Sequence, residues 1–342
     1  MFWEKEGKLI YSYDGETVCI EAWGKDALRV RATKNRSFTG RDWALEAKDA
    51  HAGEVEIFED PSAKGGAFAN MYEGTDTSYG KITNGKLHAV IDSGSVITFY
   101  HEDGRVLLKE HFRRLRDEES MPLNIMGREY SNGVGDNFRI VTRFVARKGE
   151  KIFGMGQYQQ HELDLKGCML ELAQRNSQVS VPFYLSSIGY GFLWNDPGVG
   201  QVMFANNGTE WVTESGKEID YLVIAGDTPA EIEENYMTLT GKPPMMPEYG
   251  MGFWQCKLRY WNQEQLLSVA RKYKELGIPL DVIIVDFFHW TKQGEFKFDP
   301  KYLPDVPGMC RELKEMGIQV VVSIWPTVDI YSENFEEMKG KG

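Results

Sequence analysis

Short apolar runs separated by turn residues fill most of the first 240 positions of the chain. The segment KLIYSYDGETVCIEAWGKDALRVRAT, residues 8–33, predicts three strands, because β-branched and aromatic residues alternate with polar ones between Asp- and Gly-containing turns. The same pattern returns in KLHAVIDSGSVITFYHEDGRVLLKE, residues 86–110, and in VSVPFYLSSIGYGFLWND, residues 179–196. We therefore expect an antiparallel β-sandwich in this part of the chain.

A helix and a proline-rich connector mark the end of this β-rich part. Thr228 is suited to cap a helix, Pro229 to occupy its first position, and Gly241 to close it. The connector KPPMMPEYG follows at residues 242–250. These signals predict two domains, residues 1–245 and residues 246–342.

The second domain has a strand and helix rhythm that predicts a parallel βαβαβ arrangement. Its segments are YGMGFWQC, QEQLLSVARKYKELG, LDVIIVDFF, VPGMCRELKEMG and IQVVVSIWP, and SENFEEMKGKG predicts the start of a third helix. Both complete helices end at a glycine suited to a left-handed cap. Three β/α units cannot close an eight-stranded barrel, so the pattern predicts either a small open sheet or a truncated barrel.

Charged and aromatic residues gather where the parallel strands are predicted to end. Asp286 ends the apolar run VIIV, Trp325 follows the last strand, and Lys257 and Arg259 follow the first. Ligands bind at the carboxyl ends of strands in parallel α/β folds. Carboxylates accept hydrogen bonds from sugar hydroxyls and aromatic rings pack on pyranose faces, so the mixture predicts a sugar site.

Each of these residues also has a purely structural interpretation. Asp286 is as well suited to cap a helix or pair with an arginine as to bind a ligand, and His289 among aromatic residues is typical of packing. Trp254 and Trp290 fit packing and binding equally well. Asp299, in FKFDP, is expected to form a turn with Pro300.

The composition of the chain argues against some classes of binding partner. The chain has 342 residues, 42% hydrophobic and 26% charged, with a net charge of -12. Such a balance is typical of a soluble globular protein, and the acidic charge argues against nucleic-acid binding. The chain shows neither a signal peptide nor an apolar stretch long enough to cross a bilayer, so we expect a cytoplasmic protein with no membrane partner.

The sequence gives no sign of a metal or cofactor. The four cysteines are widely spaced, which predicts free and mostly buried thiols rather than a zinc or redox site. Phosphate-binding, HExxH and serine-hydrolase motifs do not occur, and GMGQYQQ lacks the third glycine of a dinucleotide fingerprint.

Taken together, these segments resemble a known family. Residues 243–290, PPMMPEYGMGFWQCKLRYWNQEQLLSVARKYKELGIPLDVIIVDFFHW, are similar to the opening of the catalytic barrel of glycoside hydrolase family 31, the α-glucosidases and α-xylosidases. FKFDPKYLPDVPGMCRELKEMGIQVVVSIWP continues the resemblance, and FGMGQYQQ and EIDYLVIAGDTPAEI match the family's N-terminal sandwich. The resemblance covers about residues 152–342. It implies the first three units of a (β/α)8 TIM-type barrel after the sandwich.

The pairing of DFFHW with VSIWP is most similar to the α-xylosidase branch. The resemblance implies that Asp286 holds sugar hydroxyls and that Phe288 and Trp325 line the pocket for the terminal sugar. The substrate-binding set predicted in this way is Asp286, Phe287, Phe288, His289, Trp290, Trp325, Lys257 and Arg259.

The implied activity is hydrolysis of terminal α-linked sugars from oligosaccharides, with α-xylosides first and α-glucosides second. Family members use an aspartate nucleophile and an aspartate general acid in a retaining mechanism. Neither aspartate can be assigned in this chain, so we expect residues 1–342 alone to be inactive. Two alternatives stay open: a non-catalytic carbohydrate-binding β-sandwich protein, and a structural subunit completed by a second polypeptide. The expected partners are an oligosaccharide or small α-glycoside and, as a further option, other copies of the chain in a homo-oligomer.

Overall fold

A computed structural model describes residues 1–59, 78–92, 94–111, 113–115 and 123–341. Within it the chain divides into two compact units, Met1–Pro243 and Pro244–Gly342. None of the helices in the described part is both long and apolar enough to span a lipid bilayer.

Twenty-one strands and one α-helix build the first unit in the described part of the chain. The first twelve strands are β1 (Phe2–Lys5), β2 (Lys8–Tyr13), β3 (Glu16–Trp23), β4 (Ala27–Thr33), β5 (Ala50–His51), β6 (Glu54–Glu59), β7 (Ser78–Asn84), β8 (Leu87–Ile91), β9 (Ile97–His101), β10 (Val106–Lys109), β11 (Arg113–Leu115) and β12 (Leu123–Ile125). The remainder are β13 (Arg128–Asn132), β14 (Phe138–Phe144), β15 (Ile152–Gln157), β16 (Met169–Leu172), β17 (Val179–Ser186), β18 (Tyr190–Trp194), β19 (Gly200–Ala205), β20 (Gly208–Gly216), β21 (Ile219–Ala225) and helix α1 (Pro229–Thr240).

All pairings between strands of this unit are antiparallel in the described residues. One sheet has the order β1-β2-β3-β4-β21-β18-β17-β15, with β5 paired to β3. Two five-stranded sheets have the orders β10-β9-β8-β7-β6 and β13-β14-β20-β19-β16, and β11 pairs with β12. The prediction of an antiparallel, β-rich N-terminal part is therefore confirmed.

Aromatic rings fill the space between the sheets of the first unit. Phe192 on β18 packs against Phe144 on β14 with ring centroids 5.3 Å apart, and against Trp211 on β20 at 5.2 Å. Trp194 stacks on Trp211 at 5.5 Å. All four side chains are buried, and burial of such large rings dominates the stability of a core.

Arg29 on β4 is fully buried, at 0% exposed. Its Nε and Nη2 donate to the two carboxylate oxygens of Asp220 on β21, at 2.9 and 2.7 Å, and its Nη1 donates to Asp42 at 2.7 Å. Burial alone lowers the pKa of this guanidinium, but the bonds to Asp220 and Asp42 and the charge of Asp220 outweigh it and hold the pKa above its ordinary value. The buried cation is thus fully compensated.

Helix α1 begins and ends as its sequence predicts. The Thr228 hydroxyl accepts a hydrogen bond from the backbone N–H of Glu231 at 3.2 Å, and Pro229 occupies the first helical position. The helix ends at Gly241, whose φ of 97° is open to glycine and disfavoured for other residues.

The second unit contains a three-stranded parallel sheet in its described residues. Its elements are β22 (Trp254–Gln255), α2 (Gln263–Glu275), β23 (Val282–Val285), α3 (Val306–Glu315), β24 (Gln319–Val322) and α4 (Phe335–Lys341). The strand order is β22-β23-β24, and both pairings are parallel. Gly277 and Gly317 follow α2 and α3 with φ of 64° and 79°, as helix-closing glycines should.

Two local predictions need correction. The predicted first strand YGMGFWQC is a strand only at Trp254–Gln255, because Glu248–Met251 form a turn of 3-10 helix instead. All four cysteines are free, as predicted, but Cys256 and Cys310 are exposed, and of the four only Cys19 is buried. Cys256 is exposed because it follows the short strand β22 directly, at the sheet edge.

Candidate functional site

The carboxyl ends of β22, β23 and β24 lie side by side at one edge of the parallel sheet. Gln255 pairs with Ile283, and Val285 pairs with Val322. The residue after each strand is therefore brought to the same edge, and Ser323 confirms the register by donating its N–H to the Val285 carbonyl at 2.9 Å.

Asp286 follows the buried strand β23 and is half-buried. One carboxylate oxygen accepts a hydrogen bond from the N–H of Phe287 at 2.8 Å, and the other lies 3.6 Å from the thiol sulfur of Cys256. An ionised carboxylate can accept about four hydrogen bonds. Asp286 therefore keeps capacity for hydroxyl donors, and it does not cap a helix.

Three aromatic rings form a continuous cluster beside Asp286. Phe287 and Trp325 stack with centroids 5.1 Å apart and planes 13° apart, and Phe288 contacts Phe287 at 4.0 Å. Trp325 is 44% exposed and Phe288 52% exposed. Phe288 also has a φ of 68°. A bulky residue in the left-handed region is a backbone outlier, and such strain clusters at functional sites.

The two predicted cations after β22 are placed differently. Arg259 joins the cluster: it donates to the Phe288 carbonyl at 3.0 Å, and its guanidinium carbon lies 5.1 Å from the Phe288 ring and 4.2 Å from the Trp261 ring. Lys257 is exposed, and no contact within the described residues connects it to the cluster.

His289 is a packing residue in this structure. It is 7% exposed, its Nδ1 donates to the Asp286 carbonyl at 3.0 Å, and its ring lies 4.7 Å from Trp290 and 5.2 Å from Phe298. Burial lowers the pKa of the imidazole, which keeps it neutral. Its hydrogen bond fixes the turn that carries the Asp286 carboxylate.

The neighbouring loop contains residues that the sequence did not single out. Glu295 is only 5% exposed and lines a cavity of about 190 Å³ together with Trp290 and Trp325. The sequence signal for it was the segment GEFKF, in which two phenylalanines follow the acid. Asp299, by contrast, accepts the N–H of Lys301 at 2.9 Å and forms the expected turn.

The described residues contain no group of three or more histidine, cysteine or acidic side chains arranged as metal ligands would be. We call Asp286 and the rings of Phe287, Phe288 and Trp325 the strand-end cluster. It places a carboxylate acceptor beside flat apolar rings. This pair of surfaces can hold a ligand that has both hydroxyl groups and apolar faces.

Comparison with known proteins gives the family. Residues 243–342 match the glycosyl hydrolases family 31 TIM-barrel domain. An uncharacterized family 31 glucosidase, ORF2, of Pseudescherichia vulneris is 41% identical to this chain over 350 residues. The match includes 99% of this chain. Residues 243–342 therefore carry a domain of glycoside hydrolase family 31.

Other relatives of the chain include α-xylosidases. An α-xylosidase of Saccharolobus solfataricus is 37% identical over 216 residues, or 60% of this chain and 30% of the relative. The crystal structure of a family 31 α-xylosidase from a soil metagenome, complexed with xylose, is 44% identical with a TM-score of 0.87 over the whole chain.

The chain spans only part of the length of these relatives. It spans 63% of the Pseudescherichia protein and 49% of the soil-metagenome xylosidase.

Proposed function

We propose that this chain holds the part of a retaining α-glycosidase that binds the terminal sugar, with α-xylosides as the preferred substrates and α-glucosides second. The observation that supports this proposal most strongly is that the Asp286 carboxylate lies beside the stacked rings of Phe287 and Trp325 at the strand ends. The similarity to an α-xylosidase complexed with xylose supports the choice of sugar.

In this proposal Asp286 accepts hydrogen bonds from two sugar hydroxyls, while the aromatic cluster packs against the pyranose. Arg259 holds the strained Phe288 turn through its bond to the Phe288 carbonyl. His289 supports that turn through its hydrogen bond to the Asp286 carbonyl, and Trp290 packs against His289. Lys257 is exposed. The residues of the cluster bind or position the sugar, and none of them carries the bond-breaking step.

Cleavage of an α-glycosidic bond needs a nucleophilic carboxylate and an acid about 5–5.5 Å apart in a retaining enzyme. We propose that this pair belongs to further β/α units of a (β/α)8 barrel not contained in residues 1–342. The first three units supply binding, and the reaction needs water but no metal or organic cofactor.

The preference for xylosides over glucosides follows from the limited space in the sugar pocket. Xylose lacks the hydroxymethyl group that glucose carries at C5, and bulky rings in the pocket leave little room for it. Discrimination by one small group in a pocket is worth only about 1–3 kcal/mol. Glucosides should therefore be slower substrates rather than excluded ones.

The test is to assay the protein extended through a full barrel with aryl α-xyloside and aryl α-glucoside. We expect a larger kcat/KM for the xyloside and, by NMR, a first-formed product of retained α configuration. A product of inverted configuration would overturn the retaining mechanism. Sugar binding without turnover would favour the non-catalytic carbohydrate-binding alternative.

A further inference from the structure

The first unit has a cavity of its own, of about 800 Å³, at one end of its sheets. The loop of residues 34–46 forms one wall, and the turns after β18 and between β20 and β21 form others. Its lining mixes aromatic rings, amides, cations and carboxylates, including Trp43, Asn137, Arg36, Asp136 and Glu218. Nothing in the proposed hydrolytic reaction uses this cavity.

Buried hydrogen bonds hold the wall loop in one conformation. The buried Arg29 donates to the Asp42 carboxylate and to the Arg41 carbonyl at 2.7 and 2.8 Å. Asn195 accepts from the Ala44 N–H at 3.2 Å and donates to the Asp42 carbonyl at 3.1 Å. A loop fixed before a ligand arrives loses little conformational entropy on binding.

Trp43 stands on this fixed loop in a strained conformation. Its φ is 52°, a region that bulky residues rarely adopt, and its side chain is 49% exposed. The guanidinium carbon of Arg41 lies 5.7 Å from the Trp43 ring centroid. A strained and exposed tryptophan contributes little to the core, so burial does not explain why it is there.

Hydrogen-bonding groups surround the ring. Within the described part of the chain, the Arg36 guanidinium has no ion-pair or hydrogen-bond partner, although it lines the cavity. Asn137 donates to the Ser215 hydroxyl at 3.1 Å, which leaves its amide oxygen as an acceptor. The cavity thus offers a flat apolar ring, unused donors and an acceptor.

We propose that this cavity is a second, non-catalytic saccharide site. A pyranose packs on Trp43, and its hydroxyl or carboxylate oxygens accept hydrogen bonds from Arg36. Neutral and uronate-bearing oligosaccharides both fit this description, because each has a sugar ring and oxygen atoms that accept hydrogen bonds. The inference does not depend on hydrolysis at the strand ends of the second unit.

The experiment measures binding by calorimetry in the Asp286→Asn chain, so that the candidate strand-end site is weakened throughout. The two probes are a neutral xylose-substituted gluco-oligosaccharide and a xylo-oligosaccharide carrying a glucuronate. We expect at least one of them to bind, with the affinity reduced tenfold or more by Trp43→Gly. Arg36→Ala should weaken the uronate probe more than the neutral one.

Trp3→Ala is the matched control, because Trp3 is a 38% exposed tryptophan of the same unit outside the cavity. It should leave binding unchanged. Trp43→Gly should keep or raise the melting temperature, since glycine adopts a φ of 52° without strain. Failure of both probes to bind, unchanged binding in Trp43→Gly, or a lowered melting temperature would overturn the proposal.

Discussion

Phe288 shows how one backbone angle decides the arrangement of the candidate site. The position of Asp286 at the end of a buried strand could be predicted, because the VIIV run defines where the strand stops. The family resemblance pairs Phe288 with Trp325, whereas the structure stacks Phe287 on Trp325. The φ of 68° at Phe288 changes the direction of the chain there. A positive φ at a phenylalanine cannot be predicted from a sequence pattern, because bulky residues rarely adopt one.

Replacing Asp286 by asparagine tests its role in binding sugar. In the barrel-extended enzyme we expect Asp286→Asn to lower kcat/KM by an amount equivalent to about 2–4 kcal/mol, because a charged acceptor for sugar hydroxyls is lost. Steady-state kinetics with aryl α-xyloside measure this. Asp299→Asn is the matched control, since its turn needs only a side-chain oxygen. Unchanged kinetics in Asp286→Asn would leave Asp286 a structural residue.

The Cys256 thiol provides a second test that needs no substrate. Burial, together with the nearby charge of Asp286 and the contact between them, raises the pKa of this thiol above its ordinary value. At pH 8 less of it is therefore thiolate than in an unfolded chain, and iodoacetamide should alkylate it more slowly. The rate should increase as the pH rises, because the thiolate fraction grows.

Asp286→Asn should accelerate this alkylation at pH 8, because it removes two of the causes that raise the thiol pKa. Mass spectrometry of the Cys256 peptide gives the rate, and the exposed Cys310 in the same digest is the control. Equal rates in the two proteins would show that Asp286 does not lie against the thiol.

At the scale of elements, patterns that are local in sequence were the predictable ones. The helix α1 cap, the glycines after α2 and α3, and the hairpin strands depend on residues within a few positions of one another. The burial of Arg29 could not be predicted, because its partner Asp220 lies 191 residues away. The pairing of β4 with β21 likewise depends on tertiary contacts.

Residues 1–245 should fold without the rest of the chain. The antiparallel sheets of this part share one core, and the division between the compact units falls at Pro243 and Pro244. Circular dichroism of the isolated piece should show a β spectrum and a cooperative thermal transition. Residues 246–342 serve as the comparison and should give a helical contribution. A non-cooperative transition in the longer piece would contradict the domain prediction.

At the scale of the molecule, the proposed function assigns sugar binding and bond cleavage to different parts of a polypeptide. The chain spans 49% of the soil-metagenome xylosidase. Sequence patterns predicted three β/α units and the edge at which their strands end, because strand ends follow from apolar periodicity. They could not supply the geometry of a carboxylate pair, which depends on residues brought together by a closed barrel.

We predict that residues 1–342 alone do not hydrolyse aryl α-xyloside or aryl α-glucoside. Binding residues without a nucleophile and an acid cannot stabilise the oxocarbenium-like transition state. The assay compares this chain with the barrel-extended protein at equal concentration. Turnover by the short chain at a similar rate would place the catalytic carboxylates within it, and Asp286 would then be the first candidate nucleophile.

The Arg29 ion pair also has a consequence for the growing polypeptide on the ribosome. At synthesis rates of roughly 5–20 residues per second, the 191 positions between Arg29 and Asp220 correspond to a delay of about 10–40 seconds. During that interval the guanidinium has no Asp220 to compensate its burial, and β4 has an open edge. Nascent chains arrested before residue 220 should thus remain sensitive to protease at β4, and chains arrested well beyond it should be protected.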